Sequence, residues 1–460
     1  MHKVGVGIAI AMVMVALSAC SSGPEAGSPR MPVAIDTDVG SDDVMAILYL
    51  LSRPDVDVRA ITVSGTGLVH CEPGVLIVLG LLEVAGSGDV PVACGRETPL
   101  GGSNAFPQDW RAAADGAFGL DLPIPSRAAD ERSAPEVLTS AIRGADPPVT
   151  LITLGPLTNV AEALTAEPEL VGDLAGIVSM GGALLAGGNV EDNPEAEWNF
   201  HADPLAVDVV LRSGAPITLV PLDATNSVPI TAYFVDALAG HHVTPAADTV
   251  LELLQANPYL VEPGNFFWDP LAGVLATEGS SAAFEERRVV VLQGSPDVDG
   301  ELLLSSAGVT VRAAMQADAM AFETEYLNTL NGDDAISSTR PEPDLTITLT
   351  ADGCESQIPD TIPPGPIDVE VQNPLTVGGA AILATTKGNH SIDELAAFVR
   401  GVDAAEDARP PRWVVSEAWT DAPVGGSALA PWVLTPGAHA VVCVVQGTAV
   451  VLADTIQVSG

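Results

Sequence analysis

Short apolar runs alternate with longer helical stretches from residue 32 to about 335, as in Ile177–Met180, Ile217–Val220 and 249–254. The alternation predicts a mostly parallel sheet with covering helices, an α/β architecture. The character changes near Ser338–Pro343. Beyond it, brief alternating runs such as Leu345–Leu349, Ile367–Val371, Ala380–Leu383 and Ala438–Val445 lie between turn residues. Only Ser391–Arg400 there reads as a helix. Residues 341–460 are therefore expected to form a small all-β sandwich, and residues 32–335 a larger domain of ordinary size.

The first strand-like run, Pro32-Val33-Ala34-Ile35, leads into Asp36, Asp38, Asp42 and Asp43. The apolar stretch Val44–Leu50 after them reads as a helix. Four acids thus sit at the carboxyl end of a strand, where open α/β sheets place ligands. Like charges this close repel unless a cation or hydrogen-bond donors hold them. An all-oxygen set suits a hard cation such as Ca²⁺. A calcium helix-loop-helix would need Gly sixth and Glu twelfth. Counted from Asp36, Gly40 is fifth and Ile47 twelfth, so that reading fails. A phosphotransferase strand end fits poorly too. Gly40 stands where Thr or Val belongs, and the chain has only two lysines, Lys3 and Lys387.

Charge and cysteines narrow the setting. A net charge of −42, from 60 acidic and 18 basic residues, disfavours nucleic acid and anionic lipid as partners. Met1-His2-Lys3 precedes an apolar run from Val4 to Leu17, then Ser18-Ala19-Cys20. That is a secretory leader, too short to span a membrane. Its LSAC ending resembles a bacterial lipobox. The resemblance implies cleavage before Cys20, lipidation of its thiol and a lipid-anchored, extracytoplasmic protein in the cell envelope. The alternative is an ordinary signal peptide with a chance cysteine. Residues 21–31 read as a flexible tether. Four cysteines remain in an oxidising compartment, which permits disulfides. Cys71 and Cys94 both follow predicted strands, and Cys354 and Cys443 share the later segment. Four buried thiols are the alternative. His390, His439 and Cys443 lack a further ligand after Cys443, so a metal-free sandwich is favoured over a copper site.

Further segments share an order with the acidic turn. They are Leu154-Gly155-Pro156-Leu157-Thr158-Asn159, Met180-Gly181-Gly182 with Gly188-Asn189, Glu197-Trp198-Asn199 with Asp203-Pro204, and Trp268-Asp269-Pro270. Together with the turn they resemble the nucleoside hydrolase family, the inosine-uridine-preferring ribohydrolases, over about residues 32–332. The resemblance implies a calcium-dependent enzyme that splits the N-glycosidic bond of ribonucleosides into base and ribose. It implies Ca²⁺ held by Asp38, Asp43, Asp269 and the Leu154 carbonyl. Asp38 is then also the general base, and Asp36 orients the cluster from behind. Asp42, Asn189, Glu197 and Asn199 bind the ribose. A homo-oligomer is compatible with the family.

Two departures qualify the resemblance. The family's Asn on the loop after the second strand is missing from Ser64–His70, so its contact is either lost or supplied by Thr66 or His70. Nonspecific members place a His before the last metal-binding Asp, where this chain has Trp268. An aromatic there resembles purine-preferring members, which stack the base, with Trp110 or Phe118 for the other face. His70 is the best alternative acid, His201 could line the site, and His241-His242 read as solvated. The competing reading is a surface lipoprotein that binds nucleosides or ribose without turnover.

Overall fold

A computed structural model describes residues 30–332 apart from 263 and 280, and 343–458 apart from 352, 357–361, 376–378, 389, 402–412, 423–425 and 446–448. The leader with Cys20, the tether as far as residue 29, and the boundary at 333–342 lie outside the described residues.

Nine strands form the first sheet: β1 (Met31–Thr37), β2 (Val56–Val63), β3 (Val92–Cys94), β4 (Val149–Thr153), β5 (Leu174–Met180), β6 (Ile217–Val220), β7 (Ala282–Val291), β8 (Leu302–Leu304) and β9 (Val309–Ala317). Their order is β3-β2-β1-β4-β5-β6-β9-β7-β8. Every pairing from β3 across to β9 is parallel; β7 runs antiparallel to β9 and β8. The connections carry α1 (Ser41–Ser52), α2 (Cys71–Val84), α3 (Gln108–Asp115), α4 (Ala134–Ile142), α5 (Thr158–Ala166), α6 (Trp198–Ala202), α7 (Pro204–Leu211), α8 (Leu222–Thr225), α9 (Ala232–Gly240), α10 (Pro245–Ala256), α11 (Trp268–Thr277) and α12 (Ala319–Leu330). Residues 249–254 lie inside α10, and Met31, assigned to the tether from sequence, already belongs to β1.

The central strands are apolar because both faces are covered. Along β1, Val33 and Ile35 join one hydrophobic core and Ala34 the other, as the alternation of a strand requires. The chain leaves β1 toward β2 and β3, then returns to its other side as β4, β5 and β6. The strand order therefore reverses between β1 and β4. The connections leaving their carboxyl ends run to opposite sides there and leave a crevice, the usual ligand position in such sheets. A disulfide between Cys71 and Cys94, with Cα atoms 5.5 Å apart, ties the start of α2 to the end of β3 beside it.

The later segment is a sandwich of two four-stranded sheets. One contains β10 (Leu345–Thr350), β11 (Gly353–Ser356), β12 (Gly365–Asn373) and β15 (Gly426–Leu434). The other contains β13 (Gly379–Thr386), β14 (Val414–Ala422), β16 (Gly437–Val445) and β17 (Ala449–Val458). Ile347, Val369 and Trp432 from the first pack with Leu383, Val441 and Ile456 from the second in one core. The buried Trp432 indole donates to Thr420 Oγ1 of the opposite sheet at 2.9 Å. Cys354 and Cys443 also bridge the two sheets, which leaves Cys443 no thiolate for a copper ion. Helix α13 (Ile392–Gly401) covers the outer face of the second sheet through Leu395 and Val399.

Candidate active site

The turn from β1 into α1 is organised around Asp43. Its carboxylate accepts from the backbone N–H of Gly40 at 2.8 Å, from that of Asp38 at 3.2 Å, and from the Thr37 hydroxyl. These bonds hold Val39 at φ 57°, a left-handed conformation in which a β-branched residue is strained. The strained turn projects Asp38 over the crevice. Asp38 Oδ2 accepts the Leu68 backbone N–H at 2.9 Å. Glycines surround it closely. A Cβ on Gly67 would come within 2.2 Å of Asp38 Oδ2, and one on Gly155 within 2.8 Å of Asp38 Cβ.

Behind the turn, Asp36 faces away from the crevice. It accepts from Thr62 Oγ1 at 2.5 Å and Asn159 Nδ2 at 2.8 Å, while its other oxygen is buried without a donor. Its backbone carbonyl accepts from Leu154 N at 2.8 Å. Asp36 therefore locks β1, β2, β4 and α5 together.

A cavity of about 640 Å³ opens at this crevice. It is lined by Asp38, Asp42, Asp43, Leu154, Asn189, Glu197, Asn199, Trp268 and Asp269, so every residue expected from sequence to hold metal or substrate meets in one place. Asp42, Asp43 and Asp269 each offer an oxygen within 4.8 Å of the others. Asp38 lies on the same wall but outside that tightest group. Asp269, in the first turn of α11, has a buried Oδ1 with no donor. The Leu154 carbonyl accepts from Asn199 Nδ2 at 3.0 Å, and its second lone pair leaves room for another partner. Several carboxylates, a carbonyl and an orphaned buried oxygen, with no histidine or cysteine among the described lining residues, together fit a hard divalent cation.

The electrostatics follow from this crowding. Burial, then repulsion from Asp43, pushes Asp42 up to about 7. Burial and the neighbouring carboxylates hold Asp38 and Asp269 well above the usual range, and burial raises Asp43. Burial lifts Asp36 and Glu197 to about 7. A bound cation reverses that cost by favouring the charged forms.

Glu197 is tied up by backbone. It caps α6, accepting from Asn199 N at 2.8 Å, Phe200 N at 3.2 Å and Gly182 N at 2.9 Å. Its carboxylate thereby fixes the Met180-Gly181-Gly182 turn against the Asn199 helix. Asn189 Oδ1 accepts the Trp198 N–H at 3.1 Å. In the same neighbourhood Thr158 Oγ1 donates to Asp203 Oδ2 at 2.8 Å, while Asp203 caps α7.

Trp268 is a wall of the cavity, with its ring edge-on to Phe266 at 6.0 Å. Trp110 and Phe118 line the cavity as well. Three further aromatic residues, given no role from the sequence, line the cavity: Phe106, Trp198 and Tyr259. Phe106 stacks on Trp198 at 5.0 Å, and Trp110 meets Trp198 edge-on at 5.4 Å. Trp198 was legible as the middle residue of Glu197-Trp198-Asn199; Phe106 and Tyr259 carry no local signal. Among the described residues no histidine lines the cavity. His70 pairs with Asp115 at 2.7 Å, buried His201 with the Asp299 carbonyl at 2.8 Å, and His242 with Asp248. Thr66 does not replace the missing loop Asn, because its hydroxyl is buried against the Arg96 carbonyl at 3.2 Å. The Leu68 N–H provides that loop's contact with Asp38 instead.

Comparison with known proteins agrees with this geometry. The family described as inosine-uridine preferring nucleoside hydrolase matches residues 33–406. Uridine nucleosidase 1 of Arabidopsis thaliana is 39% identical over 197 residues, 43% of this chain and 58% of that protein. The match therefore spans less than two thirds of that relative's length. A plant nucleoside hydrolase structure, PpNRh1, superposes with a TM-score of 0.60 at 29% identity, covering 66% of this chain and 99% of its own. The purine-preferring ribonucleoside hydrolase from Gardnerella vaginalis gives 0.57 at 27% identity, covering 65% and 98%.

Proposed function

This chain belongs to the inosine-uridine preferring nucleoside hydrolase family, and from that premise we propose that it hydrolyses the N-glycosidic bond of ribonucleosides with Ca²⁺ as its metal. The observation that carries the reading is the meeting of Asp38, Asp42, Asp43, Asp269, the Leu154 carbonyl and Asn199 in one cavity at the strand-order reversal. Asp38, Asp43, Asp269 and the Leu154 carbonyl would hold the cation, with Asp42 close enough to join them. When bound, Ca²⁺ would supply Lewis acidity toward water and the ribose hydroxyls.

The chain's own groups do the rest. Asp38 takes a proton from the attacking water, and its hydrogen bond to Leu68 N–H keeps the carboxylate aimed. Asp42 and Asn199 grip ribose hydroxyls, with Asn189 toward the 5′ side. Glu197 contributes by holding Asn199 in place. The oxocarbenium-like transition state gains from the surrounding negative charge. The base departs along the aromatic wall. Stacking there and the lack of a histidine acid support a purine preference among neutral nucleosides, since a purine can take a proton at N7 from solvent. The named activities of relatives divide between uridine and purine substrates. The LSAC ending at Cys20 supports an envelope protein anchored by lipid. Free ribose released from inosine, adenosine and uridine, with Ca²⁺ and after chelation, tests the hydrolase reading. No ribose from any of them would refute it.

A further inference from the structure

The hydrogen bond that aims Asp38 comes from a backbone N–H, that of Leu68. Its direction is therefore set by the loop that carries it. That loop contains Gly65 and Gly67, whose backbones have the widest conformational freedom, so its shape must be held from outside. Helix α3 holds it at two points. Arg111 Nη2 donates to the Gly65 carbonyl at 3.1 Å and to the Val69 carbonyl at 3.4 Å, on either side of the Leu68 donor. One turn further along α3, Asp115 accepts the His70 backbone N–H at 2.9 Å and pairs with the His70 ring. Arg111 is only 4% exposed, and its Nε is buried without an acceptor. Its side-chain partners among the described residues are these two carbonyls and no carboxylate. An arginine on a surface helix ordinarily carries its charge out to water on its long stem. Burying the charge without a counter-ion is costly, and an apolar side chain would fill the space more cheaply.

We infer that Arg111 is a positioning residue for the reaction: by clamping the Gly65 and Val69 carbonyls it keeps Leu68 N–H aimed at Asp38. The inference rests on the hydrolase reading with Asp38 as its base, and deepens it. The helix has two working faces. Trp110 and Ala113, three positions apart, line the cavity, while Arg111 and Asp115, four apart, point to the loop. One rigid helix thus joins the wall that meets the departing base to the loop that directs the attack of water. The loop lacks the family's Asn, and α3 sets its geometry instead.

A double-mutant cycle on the full chain with Ca²⁺ and inosine tests the inference, with the fold of each variant checked by circular dichroism. Arg111→Met should lower kcat by about tenfold or more and leave KM within about threefold, because a misaimed base raises the barrier without loosening the ribose contacts. Arg111→Lys should recover most of that loss, since one nitrogen makes both bonds and an ammonium has donors enough for two carbonyls. In an Asp38→Asn background, Arg111→Met should cost less than about twofold, because residues acting through one bond are not additive. A purely structural role would cost the same in both backgrounds. Arg111→Gln runs the same cycle if Arg111→Met does not fold. Unchanged kcat in a folded Arg111→Met or Arg111→Gln protein, or an equal loss in both backgrounds, overturns the inference and leaves the hydrolase reading intact. No ribose from inosine, adenosine or uridine with the unaltered protein overturns both.

Discussion

Asp38 and Leu68 are joined by a 2.9 Å hydrogen bond from the Leu68 backbone N–H to Asp38 Oδ2. The bond connects the turn after β1 to the loop after β2, and it aims the carboxylate proposed as base. Gly67, beside the donor, leaves no space for a side chain, since a Cβ would fall 2.2 Å from the Asp38 oxygen. Gly67→Ala should therefore displace Asp38 and lower kcat at least tenfold in a folded protein. Asp38→Ala should cost about 10²–10⁴-fold, the usual worth of a positioned base, and should weaken calcium binding as well. Ribose release and calcium titration on both variants check this. Wild-type calcium content and full turnover in Asp38→Ala would contradict the assignment.

The crowded acids predict a pH-dependent stabilisation by metal. Asp36 and Asp42 are raised from the ordinary 3.8 to about 7, and Asp38, Asp43 and Asp269 are raised too. The metal-free folded protein keeps protons that the unfolded chain releases, so its stability falls as pH climbs from about 4 to about 7. A cation removes that loss. At a hundredfold excess over Kd it stabilises by about 2.7 kcal/mol, with a tighter Kd where the acids are ionised. The Tm gained from calcium should be clearly larger at pH 8 than at pH 5. An equal gain at both would argue against the carboxylates as the site.

Trp268 should act on the transition state as well as on binding. Its ring is a cavity wall and its neighbour Asp269 belongs to the acid group that could hold the metal. Trp268→Ala should lower kcat for inosine, by about 5- to 150-fold if the stacking is worth ~1–3 kcal/mol. Inosine and uridine are compared in both proteins. Equal or better use of uridine by the unaltered protein would defeat the purine preference.

The sandwich should be dispensable for chemistry. It has its own core and its own disulfide, and among the described residues none that lines the cavity comes from it. A chain of residues 31–340 is expected to fold and to release ribose at a rate similar to the mature protein. A folded but inactive product would give the sandwich a role in shaping the site.

Lipid anchoring is checked by partition. Cys20→Ser is expected to move the protein from the membrane to the soluble fraction. Unchanged partition would remove the anchor.

The sequence by itself determined a great deal here, because the decisive signals are local. Apolar runs with strand and helix spacing are set by burial, so β1, α1 and the later strands could be read directly. Their alternation was enough for an α/β class and a separate sandwich. The acids of the β1–α1 turn declared themselves by crowding within eight positions. Tertiary structure alone decided which groups share the cavity. Asp269 reaches Asp42 and Asp43 only because the sheet brings the start of α11 over the end of β1. Leu68 reaches Asp38 through backbone, which no side-chain pattern records. Glu197 lines the cavity as the sequence pattern led one to expect, but only the fold shows that three backbone N–H groups also hold its carboxylate, because a helix start left uncapped beneath the cavity would bury unpaired donors. Phe106 and Tyr259 join the aromatic wall from segments with no periodic signal of their own. Side-chain chemistry and local spacing are written along the chain, whereas the distance between two groups far apart in it is set by how the layers pack.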